Sequence, residues 1–145
     1  MIKTSKQLEF FLKLNRVQGI LAKTFDSRLT GGVGFNDFVI LYYLSQAPDE
    51  KMRRIDLAEK VSLSPSGVTR MLIPMEKIGL VKKEASEGDA RVSYVKLASG
   101  GKRLLEETLD RAEMLTGEFL PSTDAKNIKD ISEIFSMFRM GTIIE

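Results

Sequence analysis

Residues 61–97, VSLSPSGVTRMLIPMEKIGLVKKEASEGDARVSYVKL, decide how this chain reads. Ser64 is a helix-capping residue, and Pro65 follows at the first helical position, where its missing N–H is one that no helix start can pair. Val68, Met71, Leu72 and Met75 then recur at i, i+3, i+4 and i+7, which commits one side of a helix to a core. Pro65, Ser66, Thr69, Arg70, Ile73 and Lys77 are left on the other side. That outer side offers small hydroxyls and one Arg, with Gly67 adding little bulk, and no acidic residue occurs from 64 to 75. The helical period runs on through Ile78 to a stop at Gly79. Pro74 removes the bond to the Arg70 carbonyl, at a cost of about 3 kcal/mol in an ideal helix, so a bend is expected near residues 70–74. Two strands follow, expected at 80–84 and 92–97, with Ser86, Glu87, Gly88 and Asp89 as turn residues between them. Arg91 lies just past the tip. A helix able to enter a nucleic-acid groove, followed by a hairpin able to reach beside it, is the order of a winged helix-turn-helix.

Upstream, the brief segment IDLAEKV supplies the first helix of that pair, with Leu57, Ala58 and Val61 inward and small Ala58 permitting a close crossing. Lys51 to Arg54 is a short basic segment before it, suited to a one-bridge strand, and Arg53 and Arg54 are candidate phosphate contacts. A helix near 36–46 carries Phe38, Val39, Leu41, Tyr42 and Leu44, apolar nearly all round and so expected to be buried, and Ala47, Pro48 and Asp49 end it. Gly31, Gly32 and Gly34 form a loop; without a following Lys-Ser/Thr pair or a preceding strand they do not make a phosphate cradle. From Ser5 to Arg28, Phe10, Leu14, Val17, Leu21 and Phe25 share a helical stripe, and Leu8, Phe11, Leu12 and Ile20 share a neighbouring one. A terminal helix apolar over two stripes asks for a partner helix, although packing within its own monomer also accounts for it.

Downstream, Ser99 suits the N-cap of a long helix to about Phe119, with Leu104, Leu105, Leu109, Ala112, Leu115 and Phe119 apolar. Pro121 separates it from a last helix near 124–140 carrying Ile128, Ile131, Ile134, Phe135 and Phe138. The whole is expected to be one mainly α domain of 145 residues with a small β-hairpin wing. The winged-helix lobe falls at about 35–97, and dimerisation helices fall at about 3–30 and 99–144. A two-fold axis through apolar terminal helices would set two reading helices about 34 Å apart, one DNA turn.

Composition narrows the chemistry. The chain has no Cys and no His, which removes thiol nucleophiles, thiol redox sensing, the commonest metal ligand and the usual near-neutral general base. Glu106, Glu107 and Asp110 read as a solvated helix face, so no enzyme, metal or cofactor is expected. No apolar run approaches the length of a membrane span, and a cytoplasmic protein is expected. The net charge of +2 conceals a division: residues 51–103 hold twelve Lys or Arg against six Asp or Glu, or +6, and the flanks hold ten against fourteen, or −4. Such a division suits a protein that meets phosphates at one end, and a solvated basic face alone would also produce it. Lys82, Lys83 and Lys96 are further candidate phosphate contacts. Arg91, within reach of Asp89, is placed to enter a minor groove while the helix lies in the major groove.

The run LAEKVSLSPSGVTRMLIPMEKIGLV at 57–81, followed by Asp89, Arg91, Leu97 and Gly101, resembles the multiple antibiotic resistance regulator (MarR) family of transcription factors. The resemblance extends in order and lengths over nearly the whole chain. It implies a homodimer formed by the terminal helices that binds double-stranded DNA at a pseudo-palindromic operator, usually as a repressor. It also implies that Ser64, Ser66, Thr69 and Arg70 face the major groove, that Arg91 reaches the minor groove, and that Asp89 orders the wing turn. Many relatives answer to small anionic phenolic ligands held between the dimerisation arms and the DNA-binding lobe. A small aromatic ligand is therefore a candidate partner, and Lys13 and Arg16 with nearby aromatics suit either a pocket or plain surface. The chain departs from the family pattern in having Ala90 for a second wing Arg, Ser99 for Thr, and Pro74 within the reading helix. An alternative reading is a winged-helix protein-interaction module without DNA binding.

Overall fold

The computed structural model describes residues 1–29, 31–120 and 125–138. It divides into two compact units, Met1–Glu113 and Met114–Glu145, with the boundary inside one long helix. Among the described residues there are six α-helices and one three-stranded antiparallel sheet, the mainly α winged-helix architecture expected.

Helix α1, Lys6–Arg28, is capped by Ser5, whose side-chain oxygen accepts the Leu8 N–H. It buries only its far end: Phe25 is buried and stacks edge-on with Phe35 at 5.2 Å, whereas Leu8, Leu12, Val17 and Ile20 are exposed. The chain turns at Gly31 and Gly32, both at positive φ. Helix α2, Phe35–Gln46, starts one residue before Asn36, with Gly34 as N-cap and the Asp37 carboxylate accepting the Gly34 N–H. Ile40, Leu41 and Leu44 are fully buried, but Tyr42 is exposed, so α2 is less enclosed than its apolar sequence suggests.

Strand β1, Lys51–Arg53, pairs with β3 over three residues, more than the single bridge expected. Helix α3, Arg54–Val61, buries Leu57, Ala58 and Val61 as read from the sequence, and Ser62 ends it in the left-handed region. Helix α4, Pro65–Lys77, buries Val68, Leu72 and Met75, with Met71 half-buried. Its end is a Schellman motif: the Gly79 N–H donates to the Glu76 carbonyl at 3.1 Å and the Leu80 N–H to the Met75 carbonyl at 2.9 Å, with Gly79 at φ 78°. The period therefore stops one residue earlier than expected, and Ile78, as the C-cap, is exposed rather than inward.

Strands β2, Val81–Ala85, and β3, Ser93–Leu97, each begin one residue later than expected, because Leu80 belongs to the helix stop and Val92 to the turn. The sheet order is β1-β3-β2. Its inner side carries Val81, Val95 and Leu97, which join Ile40, Leu44, Leu57, Val68 and Leu72 in one core. Helix α5, Ser99–Phe119, follows. The Ala98 carbonyl accepts the Lys102 N–H at 3.0 Å, so the chain is capped at Ala98 and Ser99 is the first helical residue, not the N-cap. In the first unit Leu105 and Ala112 are buried, Leu104 is half-buried, and Leu109 is exposed. Gly101 fits against the Leu80 carbonyl and the Leu41 side chain so closely that no Cβ could be accommodated.

In the second unit, helix α6 is described over Ala125–Ser136, and Ile128, Ile131, Ile134 and Phe135 on it are exposed. Pro121, Asp124 and Met140, which framed that helix in the sequence, lie outside the described residues, as does the end of the expected dimerisation arm. No described helix is long and apolar enough to cross a membrane.

Candidate nucleic-acid interface

The N-terminus of α4 is built by three local bonds. Ser64 Oγ accepts the Gly67 N–H at 3.0 Å and lies 3.1 Å from Ser66 Oγ, and the Ser64 carbonyl accepts the Val68 N–H at 2.9 Å. Extended Ser64 and fixed-φ Pro65 turn the chain sharply; with no N–H on Pro65 and that of Gly67 taken by Ser64, the Ser66 N–H is left outside the helical bonding pattern at the positive end of the helix dipole. Pro65, Ser66, Arg70 and Ile73 are exposed on the outer side, in agreement with their spacing. Arg70 has no ion-pair partner among the described residues.

Thr69 differs from its sequence reading. It shares the outer side but is only half exposed, and its Oγ1 both donates to the Pro65 carbonyl at 2.9 Å and accepts from Arg54 Nη1 at 3.0 Å. Arg54 is accordingly turned into the lobe. Arg53 is instead exposed and forked onto Asp56, Nε to Oδ2 at 2.8 Å and Nη2 to Oδ1 at 3.2 Å. Adjacent in sequence, the two arginines have different occupations that spacing alone could not reveal.

The wing separates two further candidates. Side chains alternate across a strand, so Lys82 and Lys83 lie on opposite faces of the sheet. Lys83 shares the inner side with Val81 and stands beside α4, 4.0 Å from Glu76. Lys82 is opposite Lys96 and belongs to the outer face with Lys51 and Glu84. There Glu84 Oε2 accepts Lys51 Nζ at 2.8 Å and Glu84 Oε1 is 3.6 Å from Lys96 Nζ, so one carboxylate on β2 ties β1 and β3 to it. Lys51 also stands 5.1 Å over the Tyr94 ring. The hydrogen bond from Lys51 holds the Glu84 carboxyl below the usual carboxylate range, and the same bond raises Lys51. Sequence reasoning missed this network, in which Lys51 and Glu84 are 33 residues apart along the chain.

At the tip, the Ser86 N–H donates to the Val92 carbonyl and the Val92 N–H to the Asp89 carbonyl, both at 3.0 Å. Asp89 Oδ1 accepts the Arg91 backbone N–H at 2.9 Å and lies 3.3 Å from Arg91 Nε, while the Arg91 side chain is 91% exposed. Ala90, also exposed, adds no charge.

Adjoining Arg53 and the outer face of the wing, a cleft of about 700 Å³ between α2, β1 and α3 is lined by Tyr42, Tyr43, Lys51, Lys60 and Tyr94 among others. Lys13 and Arg16 are not among its residues and stand exposed on α1. No group of acidic side chains among the described residues could hold a metal ion.

Comparison with known proteins gives this surface its setting. Residues 36–93, from the start of α2 to the wing, match the model of the MarR family. The chain is 23% identical over 135 residues to the HTH-type transcriptional regulator YdgJ of Bacillus subtilis, covering 93% of this chain and 80% of that protein. Its fold is similar to that of BldR from Sulfolobus solfataricus, with a TM-score of 0.82 at 22% identity over 95% of this chain and 100% of that one. It is also similar to that of Sco3205 from Streptomyces coelicolor, a MarR family regulator solved in complex with DNA, with a TM-score of 0.81 at 18% identity over 94% and 88% of the two chains. The PcaV regulator of the same organism, solved with its natural ligand, gives a TM-score of 0.78 at 17% identity over 94% and 95%. The pattern of the MarR family thus lies on the helix-turn-helix and wing of this chain, and more than nine-tenths of the chain follows the fold of these regulators.

Proposed function

We propose that the chain is a cytoplasmic repressor that binds a pseudo-palindromic DNA operator as a homodimer. The observation that carries this reading is the outer side of α4: a capped helix start, exposed Ser66, Arg70 and Ile73, and no acidic residue from 64 to 75. Ser64, Pro65, Ser66, Gly67 and Arg70 are assigned to the major groove, Arg91 to the minor groove with Asp89 holding it, and Arg53, Lys82 and Lys83 to phosphates. Sco3205, whose fold this chain shares, is known in complex with DNA, which supports the assignment. Exposed Leu8, Leu12, Val17 and Ile20 on α1, and exposed Ile128, Ile131 and Ile134 on α6, supply apolar surface for a second copy. A small aromatic acid is the proposed releasing ligand, and the tyrosine-lined cleft with Lys51 and Lys60 offers it ring contacts and ammonium partners.

Gel shifts on the DNA immediately upstream of the chain's own gene, run at several salt concentrations, test the reading. Binding should weaken steeply as salt rises, because each neutralised phosphate releases a counterion. Retention indifferent to salt, or no retention of any duplex from a random-sequence pool, would sink it.

A further inference from the structure

We infer that Arg54 is a positioning residue of the reading helix: it fixes the first turns of α4 on α3 through Thr69 and touches no phosphate itself. The inference rests on the DNA-binding reading above.

Arg54 is the first residue of α3, and its Nη1 donates to Thr69 Oγ1 at 3.0 Å. That hydroxyl spends its proton on the Pro65 carbonyl at 2.9 Å. The chain of two bonds therefore runs from α3, through the outer side of α4, to the first residue of that helix. Among the described residues it is the one side-chain hydrogen bond that joins α4 to another element. Arg54 lies with Thr69, Leu72 and Ile73 of α4 and Val81 and Lys83 of β2 around a small crevice, so its guanidinium sits where reading helix and wing meet.

Such a strut has a task here. Pro74 has no N–H, so the Arg70 carbonyl lacks its helical partner, and the turns that carry Ser66, Thr69 and Arg70 are joined to the rest of α4 by one bond fewer. Val68 and Leu72 anchor the inner side of those turns by burial, which opposes withdrawal and large rotation but, being non-directional, sets the fine orientation about the helix axis less sharply than a hydrogen bond does. A charged, directional bond on the outer side opposes that rotation. Rotation would move Ser66 and Arg70 relative to base edges while leaving the charge of the surface unchanged. Arg54 thus acts on sequence preference rather than on general attraction to DNA. Arg53, exposed and held only by Asp56, is the neighbour available to a phosphate.

The test compares a duplex selected by the wild-type protein from a random-sequence pool with a scrambled duplex of equal length. Arg54→Met keeps the aliphatic stem and removes the fork. It should weaken the selected duplex about tenfold, the effect of one charge-assisted bond. It should leave the scrambled duplex, and the slope of log affinity against log salt, as in wild type. Thr69→Val should reduce preference in the same way, Thr69→Ser should restore it, and the double variant R54M/T69V should bind no more weakly than T69V. A salt slope shallower by about one in R54M, as loss of a phosphate contact gives, or effects that multiply in the double variant, would overturn the inference, as would unchanged affinity for the selected duplex. Thermal unfolding accompanies each variant. Should R54M not fold, Arg54→Gln takes its place, being neutral yet able to donate one bond: an unchanged slope supports the inference and a shallower one overturns it. A wild type that retains no duplex removes the DNA-binding reading with it, whereas a wild type that binds while R54M loses slope removes this inference alone.

Discussion

The Asp89 carboxylate holds Arg91 at two points: one oxygen, Oδ1, accepts the Arg91 backbone N–H at 2.9 Å and lies 3.3 Å from its Nε. The backbone bond closes a turn within the wing tip, and the side-chain contact points the guanidinium without burying it. Because 91% of that side chain is exposed, removing it should leave the fold alone. Arg91→Ala is expected to weaken binding of a selected duplex by about 1–3 kcal/mol, the range for an arginine reading a groove, with an unchanged thermal midpoint. Titration of wild type and variant by fluorescence anisotropy checks it. An R91A protein that binds as tightly as wild type would show that the wing does not reach DNA, and with Ala90 beside it there is no second arginine to compensate.

Gly101 carries a prediction whose sign runs against helix propensity. In an exposed helix, Gly→Ala stabilises by roughly 0.5–1 kcal/mol. At Gly101 the added methyl would collide with the Leu80 carbonyl and press on Leu41 and Leu97, all of them in the core or the helix stop. Overpacking of this kind costs about 1–3 kcal/mol. Gly101→Ala should therefore lower the midpoint of urea unfolding, whereas Gly117→Ala, on the same helix with open space around it, should not. Equal effects from the two substitutions would contradict the close approach of α5 to Leu80.

How much of this was legible before the structure depends on the range of each interaction. Ser64, Pro65 and the Val68–Leu72–Met75 stripe act within a few residues, so the start and inner face of α4 could be read directly. Gly79 was legible as a stop, but the Schellman bonds that place Ile78 outside the helix period, exposed as the C-cap, were not. Ser99 misled for a similar reason: the helix begins one residue sooner, since the Ala98 carbonyl accepts its first bond. The site was legible as a set of residue types and illegible as a set of partners. Nothing local tells Arg53 from Arg54, because what separates them is Asp56 three residues away in one case and Thr69 fifteen residues away in the other. Adjacent in a strand, Lys82 and Lys83 face opposite sides, but only the register of β2 with β3 shows which of them is on the inner one.

The apolar stripes of α1 make a prediction about association. Leu12 is 57% exposed and Ile20 47%, large apolar surface on a helix that buries only Phe25 near its end. If a second copy covers this face, charge placed there is removed from water on pairing and becomes costly. The double variant Leu12→Glu/Ile20→Glu should sediment as a monomer at concentrations where wild type is dimeric, with far-ultraviolet circular dichroism unchanged, since both positions face water within one protomer. It should also lose affinity for a two-half-site duplex while retaining weak binding to a single half-site. A variant that remains dimeric would move the interface off this face of α1.

The Lys51–Glu84 bond links stability of the sheet to pH, and the direction follows from both partners. Glu84 titrates below the usual carboxylate range because Lys51 donates to it, so its contribution is present above that range and is lost as pH falls through the lowered value. Lys51 titrates above the ordinary lysine value through the same bond, so its contribution is present below that value and is lost as pH rises through the raised one. The network thus favours the folded sheet across neutral pH and weakens at either end. Both side chains are partly exposed, at 29% and 35%, so the effect is modest and screened by salt. Glu84→Gln should lower the thermal midpoint at pH 7, and the gap from wild type should close as pH falls, because wild type loses the same charge by protonation. Lys51→Met should produce a smaller change than Glu84→Gln, because Lys96 remains 3.6 Å from the carboxylate and keeps part of its shift. Differential scanning fluorimetry from about pH 3, near the carboxylate range, to about pH 9, still below the lysine range, checks both variants, and a gap for Glu84→Gln that widens in acid would contradict the ion pair.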